Sequence, residues 1–248
     1  MEAYDMNLGA YTFRRIARES LRGRWLKAIV AGIIAVWLGA YAMTIPALCE
    51  YVAVISVLML ILEFIPGYYY VLLSAVIAIS IYYFFVGGVV RLGHISFNLA
   101  LLDRRRLRYS ILTSHLDLWW KMICARMAIL FLTTIGLLFF VIPGIFIHYS
   151  CAMTPYILEQ KPDYTISQSI MASFRIMAGH RWQLFALRFS FLGWNFLSML
   201  TLGIGFLFVI PYRSLAETVF YNEISGRADV FYGRYKNKQD QDSEMTGE

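Results

Sequence analysis

An all-α, polytopic membrane fold is predicted by three observations on this chain. Of its 248 residues, 59% are apolar and 17% aromatic, while only 15% are charged; that balance is too hydrophobic for a soluble domain of this size. Several uncharged stretches approach or reach the about 20 helical residues that cross a hydrocarbon core. Lysine and arginine are bunched between those stretches. Together these predict about six transmembrane helices arranged as three hairpins, with amphipathic cytoplasmic elbow helices between them. The chain divides into a basic amphipathic cytoplasmic helix over 1–25, a single transmembrane helical domain over 26–225, and a polar cytoplasmic tail over 226–248 whose composition predicts disorder.

The N-terminal "YTFRRIARESLRGRW" places Arg14, Arg18 and Arg22 at i, i+4 and i+8, a basic stripe facing lipid headgroups. The first span is expected over 26–46. Within it "WLGAYA" carries the A-x-A pattern of a signal-peptide cleavage site at Ala40 and Ala42. The apolar run continues past that site, so the span is expected to stay. Leu48 is too large to precede a lipidated Cys49. Ala31, Ala35 and Gly39 form a small-residue face suited to close helix packing, expected within the chain and alternatively in a dimer. Residues 51–65 are apolar but shorter than a usual span, which suits a re-entrant or interfacial helix. The other candidate spans are 68–90, 120–142, 145–160, 182–202 and 205–224.

In "FFVIPGIFIHYS", at 139–150, a Pro-Gly pair interrupts an uncharged run from Met127 to Leu158. From Trp120 to Ile142 is about 34 Å of helix, so the chain reaches the far surface as the pair arrives. Proline stops one helix and glycine allows the reversal; Pro143 and Gly144 are therefore expected at an outer turn. A kinked continuous helix is the alternative. Gly203 and Gly205 of "GIG" are expected at a matching outer turn, and the returning helices carry Pro155-Tyr156 and Pro211-Tyr212, a weak internal repeat.

Basic residues orient this arrangement. Six precede or begin the first span, seven lie from Arg91 to Arg126 including Arg104, Arg105 and Arg106, four lie in the next elbow, and four follow the last span. The positive-inside rule puts both termini and both elbows in the cytoplasm. Trp25, Trp119, Trp120 and Trp182 stand beside cations where outward helices begin, as amphipathic rings favour the headgroup layer. A five-span reading, with 189–212 as one helix, would strand Arg213 and the tail outside. In the 163–180 elbow, Thr165 and Gln168 have capping-box spacing, Ile166, Ile170, Phe174 and Met177 share a face, and Gly179 offers a stop.

The blocks "IPGIFIHYSCAMTPYILEQKP", "SIMASFRIMAGHRWQLFALRFSFLGWNFLSMLTLGIG" and "PYRSLAETVFY", with "RRIARESLRGRW" before them, resemble an uncharacterised bacterial integral membrane family, the domain-of-unknown-function family nine-seven-five. The resemblance implies a multi-span membrane protein and supplies no catalytic residues. Arg213 and Glu217 depart from the mostly neutral last helix expected of it.

The chain carries no HExxH, GxSxG, Walker A or GxGxxG pattern. Its four histidines are dispersed, and Cys49, Cys124 and Cys151 lack metal spacing. No catalytic residue, metal or cofactor is expected. The net charge of +6 flanks apolar spans, which points to anionic lipid headgroups and not to nucleic acid. Arg213 and Glu217, one turn apart in the last candidate span, form the strongest polar site, with His148, Tyr149 and Asn195 as further polar groups. The function expected is that of a non-enzymatic cell-membrane component whose basic elbows bind anionic lipid or a membrane or cytoplasmic protein partner. The alternative is a small-molecule or lipid transporter, or a channel-like protein, built on Arg213, Glu217 and His148. An intramembrane enzyme ranks last.

Overall fold

Apolar periodicity becomes helix throughout the part of the chain that the computed structural model describes, residues 9–40, 68–103, 109–113, 116–201 and 204–227. Every regular element among these is helical. α1 (Ala10–Leu21) buries Phe13, Ile16, Ala17 and Leu21 and leaves Arg15 and Arg18 exposed. α2 (Trp25–Trp37) buries its small face, Ala28, Ala31, Gly32 and Ala35. It is shorter than the helix expected over 26–46. Gly39, at φ +83°, ends it: Gly39 N–H donates to Val36 O at 2.9 Å and Ala40 N–H to Ala35 O at 2.8 Å, the paired bonds of a Schellman stop. Residues 41–46 and the 51–65 segment lie outside the described residues, as do residues 228–248.

α3 (Tyr68–Leu102) continues past the expected end at 90, and its 35 residues make it about 52 Å long. Its first part exposes Tyr70, Val71, Ile77, Ile81, Tyr82 and Phe85, whereas Leu92, Ile95, Phe97 and Leu101 are buried. α2 connects this helix to the C-terminal one. At one end Gly39 O packs so closely on Gly87 that no Cβ fits there; in the middle a Cβ on Gly32 would touch Pro211 at 3.6 Å. The small-residue face therefore serves internal packing.

After two short 3-10 turns (Tyr109–Thr113 and Leu116–Leu118) come α4 (Trp119–Phe139) and α5 (Val141–Ser150). The chain reverses between them at Phe140, in extended conformation. A Cβ on Gly136 would lie 2.9 Å from Gly144 Cα, an approach that a continuous helix does not permit. The hairpin exists, but the expected turn residues need correction. Pro143 and Gly144 belong to the first turn of α5, where a missing N–H removes no helix bond. Gly144 is there for proximity, since a Cβ on it would meet Leu137 Cγ at 2.5 Å.

The returning strand of helix breaks at residues 151–153 before α6 (Thr154–Gln160). α7 (Ile166–Ile176) carries the expected capping box, Gln168 N–H donating to Thr165 Oγ1 at 3.3 Å and Thr165 N–H to Gln168 Oε1 at 2.9 Å. Its most buried face is Ser169, Ser173 and Met177, whereas Ile166, Ile170 and Phe174 are half-buried. The reason is the α5–α6 break. Ser173 Oγ donates to Ser150 O at 2.6 Å and accepts from Met153 N–H at 3.2 Å, satisfying two backbone groups that the break would otherwise orphan.

A second broken helix follows as α8 (Arg181–Phe189) and α9 (Leu192–Leu200), and the chain then reverses into α10 (Phe206–Asn222), which ends in a π turn (Glu223–Arg227). A Cβ on Gly205 would sit 2.5 Å from Ser198 Oγ, and Thr201 Oγ1 accepts from Gly205 N–H at 3.1 Å. Gly203 lies outside the described residues. Among the described residues, two helices are long and apolar enough to cross a membrane, Ile81–Leu102 and Trp119–Leu138, and Trp25–Trp37 is a shorter apolar one. The main core joins α1, the start of α2, the buried part of α3, α6, α8 and α10.

Candidate functional site

Arg213 and Glu217 lie one helical turn apart on α10, and the fold adds a third ion. Glu217, 7% exposed, receives Arg188 Nε at 3.1 Å on Oε1 and Arg188 NH2 at 3.4 Å on Oε2. Arg213 Nε stands 3.6 Å from the same Oε1. A carboxylate this buried needs paired cations to offset its desolvation, and the fork of Arg188 supplies the closer pairing. By sequence position Arg188 counts, with Lys161, Arg175 and Arg181, among the four cations of the second elbow, and so it was missed as a partner of Glu217. The sequence signal was its spacing of seven from Arg181, which puts both on one face of α8. That face meets α5: Arg181 Nε donates to Ser150 Oγ at 2.7 Å with its guanidinium 4.0 Å over Phe146, and Arg188 lies 5.4 Å over Tyr149.

His148 does not join the ion cluster by a hydrogen bond. Its ring is edge-on to Tyr149 at 5.8 Å, one neighbour removed from Arg188. A second buried polar group went unrecognised in the sequence. Asn98 Nδ2 donates to Ser214 Oγ at 2.6 Å, and that oxygen is 3.3 Å from His94 Nδ1. His94 and Asn98 are i, i+4 on α3 and 1% and 2% exposed, so the three form a polar lock between α3 and α10. Among the described residues, no group of three or more His, Cys, Asp or Glu is placed to hold a metal ion.

The residues expected at the lipid interface separate into docked and outward-facing groups. α1 runs antiparallel along α10, Phe13 edge-on to Phe220 at 5.4 Å and Tyr212 Oη donating to Arg14 O at 3.1 Å. Arg14 NH1 donates to Ser190 O at 3.4 Å, a carbonyl at the α8–α9 break. Arg18 leans over Tyr212 at 5.9 Å, and Arg22 is exposed. Trp25 packs 6.3 Å from both Phe208 and Tyr212. Trp119, Trp120 and Trp182 are exposed, the first two edge-to-face and the third stacked on Phe185. Arg104, Arg105 and Arg106 lie outside the described residues.

A cleft of about 330 Å³ opens beside α1, lined by Tyr11, Arg14, Arg15, Arg18, Glu19 and Trp194. Another, of about 470 Å³, is lined by Trp37, Ala78, Tyr82 and Tyr83. Neither contains the Arg188–Glu217–Arg213 cluster.

The family model described as Protein of unknown function (DUF975) matches residues 110–228. No curated protein and no solved structure matches the chain.

Proposed function

We propose, for a chain that belongs through residues 110–228 to this family of unknown function, the role of a non-enzymatic integral membrane component that binds anionic lipid headgroups, or a protein partner, through its basic segments. The observation that carries this reading is α4. It is long and apolar enough to cross a bilayer, yet only 22% of its most apolar window is buried, and Leu130, Phe131, Leu137 and Leu138 face outward. Lipid is the solvent that accepts such a surface. In this reading the protein is multi-pass, three hairpins give six spans, and both termini are cytoplasmic.

The hairpins support an even number of passes, because each returns its chain to the side it left. From Met127 to Phe139 and from Phe189 to Leu200 the outward legs are about 20 Å long. Against a hydrocarbon core of about 30 Å, the layer holding Arg188, Glu217 and Arg213 then lies below the headgroups but inside protein, where an intramembrane ion cluster is tolerated. C-terminal reporters test the topology. Green fluorescent protein fused after Glu248 should fluoresce and alkaline phosphatase should stay inactive; the opposite pair of results rejects the six-span reading.

The buried cluster also favours a second reading, a transporter or channel-like protein with Arg213 and Glu217 on its path. Solute flux into liposomes that disappears in Glu217→Gln, with the fold retained, would select it over the first.

A further inference from the structure

We infer that the cleft between α1 and α9 is a binding site for the phosphate of an anionic phospholipid. The inference rests on the membrane reading above and gives it a definite ligand class and address. Three arginines against one glutamate leave the cleft two positive charges. Glu19 is already held by Arg15, whose Nε is 3.0 Å from its Oε1. Arg14 is fixed by its bond to Ser190 O, and its Nε is buried with no hydrogen-bond partner among the described residues. A buried donor without an acceptor is costly, and a phosphate oxygen is an acceptor whose charge suits a guanidinium. Arg18 is steadied over Tyr212 and is exposed, so an anion can reach its N–H groups.

The walls choose a lipid over a soluble phosphate. Trp194, 43% exposed, lines the cleft from α9, and Leu197, three residues on and so on the same face of that helix, is exposed. A phosphate seated among the arginines therefore has an apolar surface beside it on which acyl chains can lie. Tyrosine and tryptophan at such a junction present an apolar body and a polar tip, as at membrane interfaces generally. Tyr11 stands on the α1 side of the same cleft.

The test uses the full chain in an uncharged detergent, titrated with short-chain phosphatidylglycerol, phosphatidylcholine and inorganic phosphate, with bound lipid counted by native mass spectrometry. Phosphatidylglycerol should be retained over phosphatidylcholine, and inorganic phosphate should not displace it. The double variant Arg14→Gln/Arg18→Gln should weaken its retention about tenfold. Arg175→Gln, at an exposed arginine of α7 that does not line the cleft, should leave retention within about twofold. Because Arg14 also holds Ser190, Arg15→Gln/Arg18→Gln, which spares that bond, must weaken retention in the same direction. Equal losses from Arg175→Gln and the cleft variants, or unchanged retention in both cleft variants, would overturn the site. Displacement by inorganic phosphate would overturn its assignment to lipid. Alkaline carbonate treatment of membranes separates this from failure of the membrane reading: release of the wild-type chain removes that reading, whereas a pelleted chain with variant-insensitive lipid binding removes only the cleft.

Discussion

Ile81–Leu102 and Trp119–Leu138 are similar in length and both apolar enough to cross a bilayer, yet 67% of the first window is buried and only 22% of the second. The first carries His94 and Asn98 into the polar lock with Ser214 and sets Phe97 in the core. The second exposes apolar side chains over most of its length and ends in a hairpin tip whose Leu138, Phe140 and Ile142 are 85%, 75% and 81% exposed. Apolarity reports the gain on leaving water, not whether protein or lipid receives the side chain. The molecule consequently has two regions: a packed base where small, polar and charged groups make specific contacts, and hairpin tips where apolar character matters and fine shape does not.

The strongest way to break that contrast is to remove the ion on which the base converges. Glu217→Ala would leave Arg188 and Arg213 facing each other with no counter-ion, and a loss of about 3–5 kcal/mol is expected. Thermal unfolding in nanodiscs should show a drop of many degrees; an unchanged midpoint would mean that the cluster is solvated and not structural. Next comes a paired substitution. Phe97→Ala, at a fully buried ring stacked on Tyr109, should cost about 3–5 kcal/mol, while Phe140→Ala at the tip should change stability by under about 0.5 kcal/mol. Equal losses at the two sites would erase the distinction, showing that the tip is covered by something as close-packed as the core. A smaller loss than that at Phe97 sharpens the boundary itself. Ser173→Ala removes both bonds that bridge the α5–α6 break and should cost about 1–3 kcal/mol. Hydrogen exchange at Met153 should rise with it, and protection retained at wild-type level would assign the bridge to another group.

Local chemistry was legible wherever it acts over a few residues. The Thr165–Gln168 capping box, the stop near Gly179 and the small face of Ala31 and Ala35 all formed, since each depends on near neighbours in one helix or on side-chain size. The hairpin at 139–150 was legible as a reversal but not to the residue, because proline is tolerated in the first turn after a break as readily as at the break. The extended residue is Phe140, whose side chain announces nothing. The apolar face of α7 was legible only in part: Met177 is buried as expected and Ile166 packs on the core, but hydropathy also favoured Ile170 and Phe174, while two orphaned backbone groups on another segment drew Ser173 inward.

By itself the sequence determined the helical class, the apolar lengths, the clustering of cations and the i, i+4 proximity of Arg213 and Glu217, because composition and helical spacing are properties of a single segment. Tertiary structure decided that Arg188 would be the closer partner of Glu217, that His94, Asn98 and Ser214 would meet, and that α1 would lie along α10 with Arg14 on Ser190. Each of these joins residues more than 25 positions apart. Local periodicity sets which face of a helix is apolar; only packing against another helix fixes which charge, hydroxyl or carbonyl stands opposite it.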